Sequence, residues 1–506
     1  MTAATGAAHD LVTRDLVTRS PTVLEPDPGR VVARQFQPGQ ELLADGRARV
    51  DAVIARVLEM PDAQLQQTLA ETVETFAGRH ADLAQVFRRH FDAIVFRLHG
   101  RSVTEDQAAL IGAYFTQEYA LEAAALFNPS MIQHPDQSGL EPGELRFLMT
   151  VRSVGEGHVS SIQLRSGVLD AAAPDGGVLQ GGVGSLRVDP PGPPRLALTG
   201  PATMTREVLL RALADRTGAA TEQLIALVPD QVDEDNLDQT LSVVRRDYFA
   251  RSVGLSVAEQ LNWVYSCDYV ADLGPGELAD AVLFPTAPDE SHGMEDARCT
   301  RFVDDDGQVS YLATYTAYDG TGIGSHLLRT DDFRRVEVTQ LLGPSAKSKG
   351  MALFPRRVGG NYVALVRWDR ESIGVARSSD LRWWEPAVTV QQPRQPWELI
   401  QLGNCGPPIE TETGWLVLNH GVGPVRRYGI GALLLDLDDP TRLIGALPTP
   451  LLLPQEDERA GYVPNVVYSC GGLAHGDTLV LPYGCSDSAI RFAFVDLPQL
   501  LDRLRA

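Results

Sequence analysis

Lysine is nearly missing from this chain: of 44 basic residues, all but Lys347 and Lys349 are arginine. The bias is that of a GC-rich genome, and it makes two lysines so close together a feature to explain. Positive charge is in deficit as well, with 66 acidic residues and a formal net charge of -22 at pH 7. Such a field repels polyanions, which argues against nucleic acid and anionic membrane as partners. Cysteine is scarce, and Cys267, Cys299, Cys405, Cys470 and Cys485 form an odd set with no Cys-x-x-Cys spacing. That set suits neither a disulfide framework nor a zinc site, and it fits a reducing compartment. No metal is expected. Long apolar runs are absent: none approaches the roughly 18 residues of a membrane helix. Met1 to Ser20 lacks a basic start followed by an apolar core, so no signal peptide is read there. The expectation is a cytoplasmic protein.

A chain of 506 residues exceeds one ordinary core, so two or more units are expected. Residues 1–40 are polar and punctuated by Pro21, Pro26, Pro28 and Pro38, and read as an extended arm with one short strand near Arg30–Phe36. From 41 to 126 the period is helical. Val50, Val53, Ile54, Val57 and Leu58 make one buried face, and three further stripes follow, the last from Glu105 to Leu126. This is an N-terminal helical module of about four helices.

From 127 to 506 the chain is β-rich and repeats itself. Arg146–Arg152, Tyr311–Thr316, Tyr362–Arg367, Trp415–His420 and Thr478–Tyr483 are apolar strands, each followed by a polar loop and a second strand. The last four recur at intervals of roughly 50–60 residues, the mark of a β-propeller built of short-stranded blades. The fold expected is mainly β: a five-bladed propeller with the N-terminal helical module and a helical insertion, at about 200–268, between the first two blades. The helical segments are a candidate surface for homo-oligomer formation.

A propeller brings equivalent positions of every repeat to one axis. Ser291–Arg298 then draws attention, because Glu295, Asp296 and Arg298 stand together immediately before a strong strand. Adjacent carboxylates with a cation are how enzymes tune acids and bases, although a solvated turn with a surface ion pair would read the same. In register with that string fall Asn128, Arg152, Lys349, Arg367, His420, Asn465 and Asp487. Carboxylates, cations and amides facing one pocket suit a polyhydroxylated substrate and an anion. Trp383-Trp384 reads as blade packing, and Asp304-Asp305-Asp306 as a hairpin turn.

The same residues carry a resemblance. Phe127-Asn128-Pro129, Gly293–Arg298, Tyr315–Tyr318, Leu353-Phe354-Pro355, Ser379–Trp383, Gly406–Ile409, His420-Gly421-Val422, Leu434–Pro440 and Val463–Val466 resemble, in order, the strings of glycoside hydrolase family 130. That family comprises β-mannoside phosphorylases and related hydrolases on a five-bladed propeller. The resemblance implies Asp296 as the catalytic acid, passing its proton through a sugar hydroxyl. It implies phosphate binding by Arg152, Lys349, Arg367 and His420, and substrate binding by Asn128, Glu295, Arg298, Tyr318, Asn465 and Asp487. Two departures are Ala297 where the family has proline and Gly350 where it has a small polar residue.

Three functions stay open on the sequence. The first is inverting phosphorolysis of β-mannosides, with a small oligosaccharide and inorganic phosphate as partners and no cofactor. The second is an inverting β-mannosidase, for which Glu398 and Glu410 lie in the right region to activate water. The third is a propeller that only binds glycans or another protein. Cations clustered opposite Asp296 would favour the first, and a pair of glutamates there the second.

Overall fold

Apolar runs that do not alternate form strands covered on both faces, and every residue of Gly414–Val422 and Thr478–Cys485 is buried. The computed structural model describes residues 16–39, 42–80, 82–170, 185–218, 221–247 and 251–506, and only the backbone of 251–255. Residues 1–15 and 40 of the expected arm, and 219–220 and 248–250 of the expected insertion, lie outside the described residues. The chain divides into two compact units: residues 27–123 with 191–195 form one, and the remainder the other.

The smaller unit holds four helices, Arg49–Leu58, Asp62–Phe76, Leu83–Asp92 and Glu105–Tyr114, around Ile54, Val57, Phe91, Leu110, Ile111 and Phe115. Thr104 and Gln107 form a capping box at the start of the last helix. A Cβ on Gly112 would lie 1.9 Å from the carbonyl oxygen of Phe87, so only glycine lets these two helices touch. The last helix does not run on to Leu126 as its apolar stripe suggested. Phe115 leaves helical geometry, and Thr116–Ala120 pairs instead with Val31–Gln35. Tertiary pairing overrides the periodicity there.

In the larger unit each sequence repeat is an antiparallel strand pair. The pairs are Leu145–Val154 with Ser160–Asp170, Val309–Tyr318 with Ile323–Thr330, and Tyr362–Val366 with Ile373–Ser378. Gly414–Val422 with Tyr428–Leu435, and Thr478–Cys485 with Ala489–Asp496, complete the set. One strand precedes each pair in its sheet: Ala125–Gln133, Gly293–Val303, Ala352–Leu353, Gln401–Asn404 and Val467–Tyr468. The first two arrays join through a parallel bridge from Gly293 to Ser160. On the last array the outer strand is Val17–Leu24, a part of the arm in which the sequence reading placed no strand.

The apolar cores lie between successive arrays. Leu148 and Ile162 pack with Met294 and Tyr315. Phe302 and Leu327 pack with Leu353 and Ala376, then Leu365 and Val375 with Trp415 and Leu433. Leu416 and Ile430 meet Leu479 and Val495, and Val480 and Phe492 meet Met149 and Leu169 of the first array.

Between the first two arrays the insertion contributes helices Arg206–Thr217, Glu234–Asp247 and Arg251–Ser266, packed around Leu209, Leu213, Leu241, Val244 and Leu261. Between the first two of these helices lies a short 3-10 turn, Glu222–Leu224. Flanking strands Leu198–Pro201 and Tyr269–Asp272 pair side by side and extend the second array at Arg335–Gln340.

Candidate active site

Two β-bulges build the centre of the site. Along Gly293–Val303 the pairing passes from Glu295 opposite Thr316 to Arg298 opposite Thr314, so Asp296 and Ala297 face one partner residue. Along Ala125–Gln133 the same step runs from Phe127 opposite Arg152 to Ser130 opposite Thr150, freeing Asn128 and Pro129. Bulges re-aim side chains, and both freed polar residues are left-handed, Asn128 at φ 51° and Asp296 at φ 58°. Asn465 and Asp487 share that conformation. Aspartate and asparagine tolerate it better than other residues with a Cβ.

The re-aimed groups meet. The Asn128 Nδ2 donates to Asp296 Oδ1 at 2.8 Å, and Arg152 donates to the same oxygen at 3.3 Å and to Glu295 Oε1 at 2.8 Å. Lys349 pairs with the other oxygen of Glu295 and lies over the Tyr318 ring, 5.6 Å from its centroid. Arg298 is buried. It donates to the carbonyl oxygen of Asp296 at 2.7 Å, to that of Cys405 at 2.9 Å and to the Tyr468 hydroxyl at 2.8 Å.

Tyr468 leads to a second group. Its ring meets the His420 ring edge-on with centroids 4.8 Å apart, and the Tyr428 ring lies parallel to His420 at 6.0 Å. His420 Nε2 lies 3.4 Å from Arg367 Nη1 and 3.3 Å from Gln401 Nε2, both donors, so that nitrogen is an acceptor. Burial, Arg367 and Arg298 push its pKa well below the usual value, so His420 is a neutral imidazole. A Cβ on Gly403 would lie 2.6 Å from the His420 ring, so a side chain there would displace it. Arg367 makes no ion pair among the described residues, and burial lowers its pKa.

Burial opposes ionisation of Asp296, but Arg152, Arg298, the Asn128 amide and Lys349 outweigh it and hold the carboxyl below its usual range. Asp487 goes the other way. Burial and the nearby charge of Asp296 raise it to about 6, against the pull of Arg152 and Arg426.

Asn128, Arg152, Glu295, Asp296, Arg298 and Lys349 thus form one bonded cluster, with Tyr318 beneath Lys349. Arg367 and His420 join it through Tyr468. Asp487 joins by charge alone. Asn465 has no hydrogen bond to the cluster among the described residues: its Oδ1 accepts from Arg459 Nε at 2.8 Å and its carbonyl from the Tyr428 backbone at 3.0 Å. Tyr428, Tyr468 and Gln401 escaped the sequence reading. Tyr468 stands three residues after Asn465 and Tyr428 opens a repeated strand, which are the signals that point to them.

Neither glutamate considered as a base is free. Glu398 is buried and its Oε1 accepts from the backbone N–H groups of Arg394 at 2.9 Å and Gln395 at 3.1 Å. Glu410 is held by Arg356 at 2.6 and 3.0 Å, and lines a cavity with Thr300, Arg301 and Pro407. That is the far end of the strand that carries Asp296.

The family model described as beta-1,4-mannooligosaccharide phosphorylase matches residues 277–506. The beta-1,2-mannobiose phosphorylase of Listeria innocua is 34% identical over 230 residues, which span 44% of this chain and 63% of that enzyme. The 1,2-beta-oligomannan phosphorylase of a Thermoanaerobacter species is 32% identical over 252 residues, 46% of this chain and 81% of the relative. The structure of the Listeria enzyme with beta-1,2-mannobiose overlaps 76% of this chain and 93% of its own, at a TM-score of 0.44 and 22% identity. Ordered motifs and a relative matched over most of its length agree: the chain belongs to glycoside hydrolase family 130.

Proposed function

We propose that this chain catalyses inverting phosphorolysis of β-mannosides, releasing α-mannose 1-phosphate and a shortened saccharide. One observation carries the proposal: Arg152 and Lys349 bond the Glu295-Asp296 pair, and Arg367, joined to it through His420 and Tyr468, is a half-buried cation that makes no ion pair among the described residues. An anion is the missing partner. Phosphate in that place is both ligand and nucleophile, and needs no protein base. Both candidate base glutamates are committed elsewhere, which disfavours hydrolysis. The relatives are named for 1,2- and 1,4-linked mannosides, so the proposal extends to the β-mannosyl group and not to a linkage.

In this reading a phosphate oxygen attacks the anomeric carbon as the bond to the leaving oxygen breaks on the opposite face. The proton on Asp296 reaches the leaving oxygen through a sugar hydroxyl. Phosphate drawn to Arg152 and Lys349 weakens their hold on Asp296 and raises its pKa, so the acid gains its proton when the nucleophile arrives. Neutral His420 serves phosphate as a hydrogen-bonding group and not as a cation. Asn128 orients the acid, and Tyr318, Asn465 and Asp487 face the sugars. Arg298 fixes the bulge that presents Asp296, and Glu295 bridges Arg152 and Lys349.

The architecture proposed with it is a five-bladed propeller. Apolar cores between each array and the next, including the last and the first, support it. The reading is tested with β-mannosyl disaccharides of different linkage, with and without phosphate. Phosphate-dependent mannose 1-phosphate is expected. Free mannose regardless of phosphate would make the enzyme a mannosidase, and binding without turnover would leave a glycan-binding propeller.

A further inference from the structure

The two lysines are two residues apart and are used by different parts of the molecule. Lys349 reaches Glu295 in the site, whereas Lys347 reaches into the helical insertion. Its Nζ lies 3.1 Å from Asp215 Oδ1 and 3.1 Å from the Asp215 carbonyl oxygen, in the last turn of helix Arg206–Thr217. The last carbonyls of a helix lack intrahelical partners and carry partial negative charge, so a lysine is favoured there.

The segment between the lysines and the second array is tied to the insertion at its start as well. Leu342 is buried within the insertion's own apolar core, and Trp383, bridged to Leu342, packs against that core. Arg211 of the same helix covers the Trp383 ring at 4.5 Å and bonds Asp380 at 3.2 Å. Gly343 cannot carry a side chain, since its Cβ would lie 2.4 Å from the Trp384 carbonyl oxygen. The far end is fixed from the arrays: Ser325 donates to the Ser348 carbonyl at 3.0 Å and Asn404 to that of Gly350 at 2.7 Å. Lys349 therefore sits on a short bridge whose two abutments are the insertion and the strands that carry Ser325 and Asn404.

We infer that the helical insertion positions the phosphate-binding lysine, with Asp215 and Lys347 as the positioning pair. The inference rests on the phosphate reading of Lys349 given above. Neither residue touches the reacting groups. Their pairing sets where the Lys349 ammonium stands relative to Glu295 and the incoming phosphate, and small misplacements of a binding group are costly.

The test uses the full-length enzyme and four variants: Asp215→Asn, Lys347→Met, the double change, and Lys347→Arg. An exposed ion pair supports an effect of about two- to fivefold on the KM for phosphate, with kcat and the KM for the mannoside held within about twofold. The double variant is expected to lose no more than the worse single one, and Lys347→Arg to behave as the wild type. Hydrogen exchange over 343–350 is expected to quicken in Asp215→Asn while helix Arg206–Thr217 stays protected. Unchanged phosphate KM with unchanged exchange overturns the inference, as do additive losses in the double variant. A parallel fall of kcat and thermal midpoint overturns it too, since that is general destabilisation. Lys349→Met separates the two readings. If it leaves phosphate KM unchanged while exchange over 343–350 still responds to Asp215→Asn, the bridge is held by the insertion but Lys349 is not its phosphate ligand.

Discussion

Asp289-Glu290 and Glu295-Asp296 are two pairs of adjacent acids in one stretch of chain, both withdrawn from water, and they are treated in opposite ways. Glu290 is fully buried. It accepts from the Tyr269 hydroxyl at 3.0 Å, from Tyr315, and from the backbone of Thr286 and Ala287 at 2.8 and 2.9 Å. Asp289 takes His326 at 2.7 Å. These partners are mostly neutral donors, and they occupy both oxygens of Glu290. Burial raises the Glu290 pKa in spite of them. Around Glu295-Asp296 the partners other than the Asn128 amide are full cations, and one more, Arg367, makes no ion pair among the described residues. A buried acid pair alone therefore does not mark a catalytic site. What sets Glu295-Asp296 apart is the gathering of full cations around it.

The sharpest way to break this contrast is to neutralise one acid in each pair. Asp296→Asn is expected to lower kcat by about three orders of magnitude, the scale of a lost general acid, with little change in thermal midpoint. Near-wild-type turnover on a β-mannoside would remove Asp296 from the role. Glu290→Gln should do the reverse. An amide facing the Tyr269, Tyr315 and backbone donors leaves one of them unsatisfied, at about 2–3 kcal/mol of stability, while the KM values of the folded enzyme hold.

Arg367 is expected to give the next largest effect. Arg367→Met removes a charge-assisted contact to phosphate, so the KM for phosphate should rise about 10- to 100-fold. Because no acid is stranded by the change, thermal stability should hold or improve slightly. Arg298→Met sets the contrast, since it leaves the carbonyls of Asp296 and Cys405 and the Tyr468 hydroxyl without their donor. A loss of stability in Arg367→Met as large as in Arg298→Met would show that Arg367 is also a strut.

The same contrast explains what the sequence could reveal. The strand pairs were legible because Tyr362–Val366 or Thr478–Cys485 repeats apolar β-formers at a steady interval, and local pattern suffices for that. Asn128 and Asp296 were legible as residues because a short polar string interrupts such a strand. Their mutual hydrogen bond was not, since it needs two bulges, in strands far apart in the chain, to turn the same way. Tyr468 and Tyr428 were hidden for another reason: aromatic residues in a β-rich segment look like core until their neighbours are known. Val17–Leu24 was hidden because its partner strand lies at the opposite end of the chain. Lys347 was visible as an oddity, but only the helix end at Asp215 gives it a purpose.

The smallest effect expected is at Asp487, and it appears as a pH dependence. Its carboxyl titrates at about 6 in the folded protein against 3.8 in the reference state, because burial and Asp296 oppose its charge. A raised acid favours the fold when protonated. Its contribution is therefore fully present below 3.8 and is lost as the pH rises through about 6. In Asp487→Asn the group stays neutral at every pH. The variant should be more stable than the wild type at pH 7.5, by about 1–2 kcal/mol after allowing for solvent at a partly exposed carboxyl, and equal to it at pH 4. Thermal midpoints across that range decide the matter. A constant difference between the two proteins would mean that Asp487 is not held against its charge.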